Sequence, residues 1–257
     1  MIELKHLDKN FITSNPSQPV NYVLKDINLK INDNDFVTVI GTNGSGKSTL
    51  LNTIAGSLAP TNGDVLFDGL EVTNLKEYQR AKWIGRVFQD PNVGTIGEIS
   101  IIENMALAMQ RGEKRGLKWA LNTSLLKECR ERLAALNLGL EKRMNDKMSS
   151  LSGGQRQSIT LLMATMTKPK LLLLDEHTAA LDPKTSKNIL ALTQNLIEEK
   201  KLTAMMITHN MRDAINYGNR LIMISEGRII ADIGQDEKKN LKIEDLYARF
   251  DEAEKRN

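Results

Sequence analysis

Cysteine is almost missing from this sequence. Its 257 residues hold one, Cys129, so a disulfide scaffold is excluded and a reducing compartment is permitted without being required. Cys129 sits in an amphipathic stretch and reads as a small, semi-buried hydrophobe rather than a catalytic thiol. No Cys/His cluster has metal-ligand spacing. An excess of one charge is missing too. Against 35 Lys and Arg stand 32 Asp and Glu, a net charge of +3, which by itself argues for neither a nucleic-acid partner nor an anionic membrane surface. No apolar run approaches the roughly 20 residues that a bilayer span needs. The opening residues MIELKHLDKN scatter charges where a signal peptide would carry an apolar core. No leader is therefore expected, and any membrane role would act through a partner. Internal repeats and low-complexity segments are absent. What remains is an ordinary globular mix, with 40% hydrophobic and 26% charged residues. The length suits one large domain, or a domain with a compact insertion.

Apolar periodicity predicts the elements. Residues 1–7 and 23–31 alternate and read as strands, with a polar, proline-bearing loop at 14–19 between them. The β-branched run 36–40 reads as a buried strand, followed by a glycine-rich loop and a helix from 47 to about 57. Two turn signals, Thr61-Asn62-Gly63 and Asp68-Gly69, bracket a hairpin over 60–69. Residues 84–88 form another short strand. From 90 to 150 the pattern turns helical, most clearly at 101–109 and 124–138. Strands return at 171–174 and 204–207, joined by a helix over 184–200, and two final strands flank the turn at 225–227. Strand, helix and parallel strand imply a layered α/β sheet. The tail from 235 is charged and partly helical.

The loop Gly41, Thr42, Asn43, Gly44, Ser45, Gly46, Lys47, Ser48 matches GxxxxGK[ST], the P-loop, with a hydrophobic strand before it and a helix after it, and together with Thr49 it is the expected nucleotide-binding segment. Glycines there let backbone N–H groups turn inward around phosphate oxygens, and the helix tip adds partial positive charge. Lys47 is expected to reach the β- and γ-phosphates, and Ser48 to ligate Mg²⁺. The apolar strand 171–174 ends in Asp175 and Glu176, placing two acids at a strand's carboxyl end, where α/β folds bind ligands. Asp175 is expected to hold Mg²⁺ and Glu176 to orient and polarise the attacking water. A carboxylate occupied by a metal is a poor base, which is why the work is divided.

Leu151-Ser152-Gly153-Gly154-Gln155-Arg156-Gln157 resembles the signature motif of ABC ATPases. A serine and two glycines at a helix tip make a second anion site, and one chain has no use for two cradles on one nucleotide. The resemblance implies that Ser152, Gly153, Gly154 and Gln155 complete the site of the opposite subunit, so that two ATPs lie in a head-to-tail homodimer. Further landmarks follow in family order. Gln89 resembles the Q-loop glutamine, a sensor of the γ-phosphate and magnesium that links to the membrane partner. Ala180-Leu181-Asp182 resembles the D-loop, and His209 the switch histidine. Phe11 stands about where the family stacks an aromatic ring on adenine, with Tyr22 as a rival. The implied catalytic residues are Glu176, His209 and Gln89, and the implied magnesium ligands are Ser48, Gln89 and Asp175. Two departures stand out. Asp35 occupies a position where glycine commonly precedes the P-loop strand, and is expected to tolerate left-handed backbone. His177 replaces the common proline after Glu176, which removes a φ restraint.

The resemblance covers nearly the whole chain. It implies a P-loop NTPase (RecA-like) α/β core with an antiparallel β subdomain and an inserted helical subdomain. The expected division of the single ABC ATPase domain 1–257 is a nucleotide-binding core with β subdomain at 1–89 and 151–234, a helical subdomain at 90–150 and a charged tail at 235–257. A single set of motifs without a coiled coil disfavours the DNA-repair and translation types, so no nucleic-acid partner is expected. The implied role is ATP hydrolysis that powers solute transport, import in the first instance, through a separate transmembrane permease and with a solute-binding protein, at the cytoplasmic face of the membrane. Short stretches such as Phe88-Gln-Asp-Pro91 resemble ATPases of uptake systems, some for aromatic amino acids. An exporter ATPase of lipoprotein or peptide type, or a non-transport switch ATPase, is the alternative. No regulatory C-terminal domain is expected. Arg111, Lys114, Arg115 and Lys118, beside Trp119, read as a solvated face, with permease or headgroup contact as the other reading.

Overall fold

Alternation and β-branching build strands where the pattern predicts them. The computed structural model describes residues 1–11, 21–112 and 123–255. The expected loop at 14–19, and Lys114, Arg115, Lys118 and Trp119 of the basic patch, lie outside the described residues. Two compact units emerge, one formed by residues 1–80 and 202–257, the other by residues 81–201.

The first unit opens with β1 (Ile2–Phe11), β2 (Asn21–Ile31), β3 (Phe36–Gly41), α1 (Lys47–Ala55), β4 (Asn62–Phe67), β5 (Leu70–Glu71) and α2 (Glu77–Arg80). The second carries β6 (Ile84–Val87), α3 (Ile101–Met109), α4 (Thr123–Ala134), α5 (Gly153–Ala164), β7 (Leu171–Asp175) and α6 (Pro183–Lys200). The chain then returns to the first unit with β8 (Ala204–Ile207), α7 (Met211–Asn216), β9 (Arg220–Ser225), β10 (Arg228–Ile233), α8 (Gln235–Lys238) and α9 (Ile243–Lys255).

In the first unit, an antiparallel sheet runs in the order β2-β1-β4-β5. Asp68 and Gly69 form its two-residue hairpin turn, both left-handed at φ 50° and 78°, the backbone that matches strand twist. The other expected turn is not one. Asn62 and Gly63 lie inside β4, where the pairing with β1 slips between Lys5 and Asp8. Gly63 has φ 84°, and a Cβ there would lie 2.2 Å from the His6 carbonyl oxygen. Asn-Gly serves a bulge here, which needs the same left-handed backbone as a turn. A second set of strands has the order β10-β9-β3-β8, with β3 parallel to both β8 and β9. Phe36 to Ile40 are all buried, as a near-continuous apolar strand in a parallel sheet should be.

Polar anchors tie this unit together. Arg80 is fully buried and donates to the carbonyls of Thr53 (2.9 Å) and Ile54 (2.8 Å), at the end of α1, and to those of Thr73 and Leu75. It thereby satisfies carbonyls that a helix end leaves orphaned, while desolvation pushes its pKa down to about 10. The left-handed backbone expected of Asp35 belongs instead to its neighbour Asn34, at φ 67°. Asp35 accepts from Asn32 N–H (2.9 Å) and Arg220 Nη1 (3.0 Å), so the carboxylate is used as an acceptor.

In the second unit, β6 and β7 pair in parallel from Ile84↔Leu171 to Val87↔Leu174. Its helices enclose an apolar cluster that includes Ile101, Met105, Leu133, Met148 and Ile159. Cys129 is fully buried in that cluster, and burial raises its thiol to about 11, as suits an inert core residue. The helix expected over 124–138 ends at Ala134 because Asn137 (φ 55°) and Gly139 (φ 70°) adopt left-handed backbone. Asp182 caps α6 and Pro183 occupies its first position.

Lys238 yields a pH test. Its ammonium is buried, donates to the carbonyls of Tyr217 and Gly218 and to the Thr38 hydroxyl, and desolvation lowers its pKa to about 8. An unfolded lysine titrates near 10.4. Between about pH 8 and 10.4 the unfolded chain therefore holds more protons, and this residue's contribution to stability rises with pH by up to ~1.4 kcal/mol per unit. Urea titrations of wild type and Lys238→Met should show the difference shifting in favour of wild type across that window.

Candidate functional site

The phosphate cradle starts where β3 ends. A Cβ on Gly41 would lie 2.3 Å from the Ile224 carbonyl oxygen and 2.5 Å from Ser45 Oγ, so only glycine fits between β9 and the loop. Gly44 and Gly46 have φ 79° and 103°, and a Cβ on Gly46 would stand 2.6 Å from the Val23 carbonyl oxygen. Gly46 is also the N-cap of α1, with no side-chain cap and no acid in the first turn. The helix tip thus presents N–H donors and its dipole without a competing anion, which suits phosphate. Ser45 is buried, and its hydroxyl finds no hydrogen-bond partner. Lys47 Nζ donates to the carbonyls of Gly41 and Thr42, both at 2.9 Å, which holds the ammonium over the loop. Thr42 and Asn43 are exposed at the loop's outer rim, and Ser48 is exposed beside the half-buried Thr49 in the first turn. A buried orphan hydroxyl, an uncapped helix tip and a folded-over lysine together fit a polyphosphate.

His209 belongs to the same unit. Strand β8 lies beside β3, with Val39 opposite Ile207, and Thr208 N–H donates to the Val39 carbonyl at 3.2 Å. The exposed His209 and the Gly41 loop therefore leave neighbouring strand ends in the same direction. Asn210 then caps α7, which stops the strand there. Phe11 and Tyr22 are equally exposed, at 43%. They pair with Asn21 and Asn10 on successive rungs, so the two rings leave opposite faces of the sheet and only one of them can serve a given face. Lys9 Nζ lies 5.2 Å from the Phe11 ring centroid.

The second unit gathers the remaining residues. Because β6 and β7 are adjacent and parallel, the exposed Gln89 and the half-buried Asp175 and Glu176 share one edge. Glu176 has φ 45°, a left-handed conformation that a side chain adopts at an expense of about 1–3 kcal/mol. His177, which follows it, is buried, and burial lowers its pKa to about 4. Its Nε2 lies 3.0 Å from Thr193 Oγ1, and that hydroxyl gives its own proton to the Ile189 carbonyl, so the ring nitrogen is the donor. Arg86 Nη2 lies 3.8 Å from Asp175 Oδ2, and the guanidinium stands 4.4 Å from the Phe88 ring centroid. Sequence reasoning passed over Arg86, although a lone arginine inside an apolar strand was the available signal.

The motif Ser152–Gln155 forms the tip of α5 through a reciprocal capping box. Ser152 Oγ accepts from Gln155 N–H, and the Gln155 side chain accepts from Ser152 N–H. Its glycines also answer to packing. A Cβ on Gly154 would lie 2.3 Å from the Thr185 methyl and one on Gly153 3.4 Å from Leu181, so the tip sits tightly on the segment carrying Asp182. The Asp182 carboxyl is held below its usual range first by the Thr185 side chain and then by helix-tip N–H groups.

The ABC transporter family profile matches residues 24–179. The tyrosine transport ATP-binding protein of Clostridioides difficile (strain R20291) is 42% identical over 255 residues, covering 98% of this chain and 100% of that protein. The ABC transporter ATP-binding protein YxdL of Bacillus subtilis (strain 168) is 34% identical, with 96% of this chain and 91% of that protein covered. The methionine import ATP-binding protein MetN 1 of Staphylococcus aureus (strain N315) is also 34% identical, but this chain spans only 64% of its length. A solved dimeric ATP-binding cassette in a post-hydrolysis state, bound to ADP and Pi, matches with a TM-score of 0.77 and 31% identity, over 91% of this chain and 99% of that one. The chain belongs to the ABC transporter family. It has the α/β P-loop cassette fold of that family's ATPases, and it is an ATP-binding, ATP-hydrolysing subunit.

The cradle makes one expectation concrete. Lys47→Ala removes the ammonium held over the loop and should weaken ATP binding about 10- to 100-fold, read by calorimetry; wild-type affinity would remove Lys47 from the cradle.

Proposed function

We propose that this chain powers an importer, working as a homodimer on the cytoplasmic face of a membrane beneath a permease carried on other chains. The observation that carries the import reading is the likeness to a methionine import ATP-binding protein, and the likeness to a tyrosine transport ATP-binding protein across that protein's whole length supports the cargo class. An amino acid, an aromatic one first, is the cargo class we assign, delivered by a solute-binding protein. No helix among the described residues is long and apolar enough to cross a membrane, so attachment through the permease is the route we assign. Val93, Ile96 and Leu107, just beyond Gln89 and on α3, expose large apolar side chains, and outward apolar residues of this kind suit a protein partner.

The chemistry divides among residues already placed. Lys47 and the N–H groups of the α1 tip bind the β- and γ-phosphates, and Phe11 stacks on the adenine. Ser48, Gln89 and Asp175 supply hydroxyl, amide and carboxylate oxygens, a hard donor set that fits Mg²⁺. When bound, magnesium supplies neutralisation of charge on the phosphate oxygens. Glu176 orients the attacking water and draws on its proton, and His209 hydrogen-bonds the γ-phosphate. Ser152–Gln155 of the second copy closes over the nucleotide, which gives each of the two helix tips, α1 and α5, its own half of a shared site.

Glu176→Gln should keep ATP affinity, lose hydrolysis by about 10²- to 10⁴-fold and accumulate an ATP-loaded dimer, read by light scattering; unchanged turnover would remove Glu176 from its role. Ser152→Arg should bind ATP as a monomer with wild-type affinity yet neither dimerise nor turn over, and an active variant would undo the shared site. Proteoliposomes holding the permease test direction: ATP-dependent uptake of labelled tyrosine is expected, and outward movement alone would contradict import.

A further inference from the structure

Gln157 lies in α5, shortly after the Ser152 tip, and no solvent reaches it. Its side-chain Nε2 donates twice, to the Phe88 carbonyl at 3.1 Å and to the His177 carbonyl at 2.7 Å. Phe88 immediately precedes Gln89, and His177 immediately follows Glu176. One amide group therefore spans the ends of β6 and β7 at the point where both functional side chains leave the sheet.

The same amide carries a burden. Gln157 Oε1 is buried without a hydrogen-bond partner. Turning the amide over would aim that oxygen at two carbonyl oxygens, so the orientation is set by the acceptors. An apolar side chain of similar length would bury no orphan oxygen. What glutamine alone supplies here is a pair of N–H donors. Two further contacts bear on the same segments. His177 is held a second time through its ring, by Thr193, and the residue between it and Asp175 is the left-handed Glu176. The next residue back on α5, Arg156, donates to the Asn92 side chain and to the Met148 carbonyl (2.9 Å). Helix α5 thus grips the Gln89 loop on both sides, at Phe88 and at Asn92.

We propose that Gln157 is a positioning residue for hydrolysis: its two hydrogen bonds set Gln89 and Glu176 relative to each other and to α5, whose tip is assigned above to the nucleotide of the second copy. This rests on the roles assigned above to Gln89 and Glu176. A left-handed, strained carboxylate carrier stays in place only while its neighbours over-determine it, and the His177 carbonyl is where Gln157 applies that constraint. Displacement of a catalytic group by a fraction of its reach lowers turnover without loosening the phosphate contacts assigned to Lys47 and the α1 tip.

Gln157→Met, on the full chain, removes both donors and the orphan oxygen while keeping length. Turnover should fall about ten- to a hundredfold, with KM for ATP and ATP affinity close to wild type; the two carbonyls left without their donor lower the thermal midpoint, so rates are taken well below it and normalised to the stoichiometry of ATP binding. A kcat within twofold of wild type, or a loss matched by the loss of binding-competent protein, would overturn the proposal. Gln157→Leu is the second variant; if neither folds, the residue is a stability element and the proposal is wrong. Glu176→Gln measured alongside separates the two levels. An active Glu176→Gln defeats the catalytic reading itself, whereas a dead Glu176→Gln beside a normal Gln157→Met defeats only the positioning role.

Discussion

The left-handed turn at Gly46 is the constraint on which the phosphate end of the molecule depends. Its φ of 103° lets β3 pass into α1 with no side chain at the N-cap, so the helix tip keeps its donors and its partial charge for an anion. That conformation is locked from outside, because the Val23 carbonyl and the Leu24 side chain leave no room for a Cβ. The loop is further closed by Gly227 N–H on the Ser45 carbonyl (3.0 Å) and by Lys25 N–H on the Gly227 carbonyl (2.8 Å). At the far end of the same helix, Arg80 takes up two terminal carbonyls. Both ends of α1 are thus held by groups distant in sequence.

The second unit solves a different problem. It must hold acids and amides at strand ends without letting them relax. It does so with buried or half-buried polar side chains whose acceptors are mainly backbone carbonyls: the buried Gln157 on Phe88 and His177, the half-buried Arg156 on Met148, and the buried Thr193 on Ile189. A buried polar group is costly when a partner is lost, so each of these contacts resists rearrangement more strongly than its net contribution to stability suggests. The buried neutral His177 fits this pattern: it replaces a ring that would restrain φ with a ring anchored by a hydrogen bond.

Much of the fold was legible because its signals are local. The β-branched run at β3, the periodicity of α3 and α6, and the Asp68-Gly69 turn each state their conformation within a few residues. The reading failed where one residue type serves two geometries. Asn62-Gly63 carries a turn's composition and forms a bulge, since only the partner strand decides which. Asp35 stands beside the left-handed Asn34 rather than being left-handed itself, and Arg220, far along the chain, takes its carboxylate. Gly154 reads in the sequence as an anion-site glycine, and the Thr185 methyl that leaves no room for a Cβ there is a tertiary contact that no local pattern shows.

By itself, then, the sequence determined the chemical inventory: which loop can bind phosphate, which strand ends in two acids, which helix begins with serine and two glycines, and in what order. These are properties of short segments, whose backbone preferences and side-chain chemistry need no distant partner. Only the tertiary structure decided which buried donors meet which carbonyls. Gln157 reaches Phe88 across 69 positions of chain and His177 across 20. Such pairings depend on how strands and helices are laid side by side, and no local pattern encodes them.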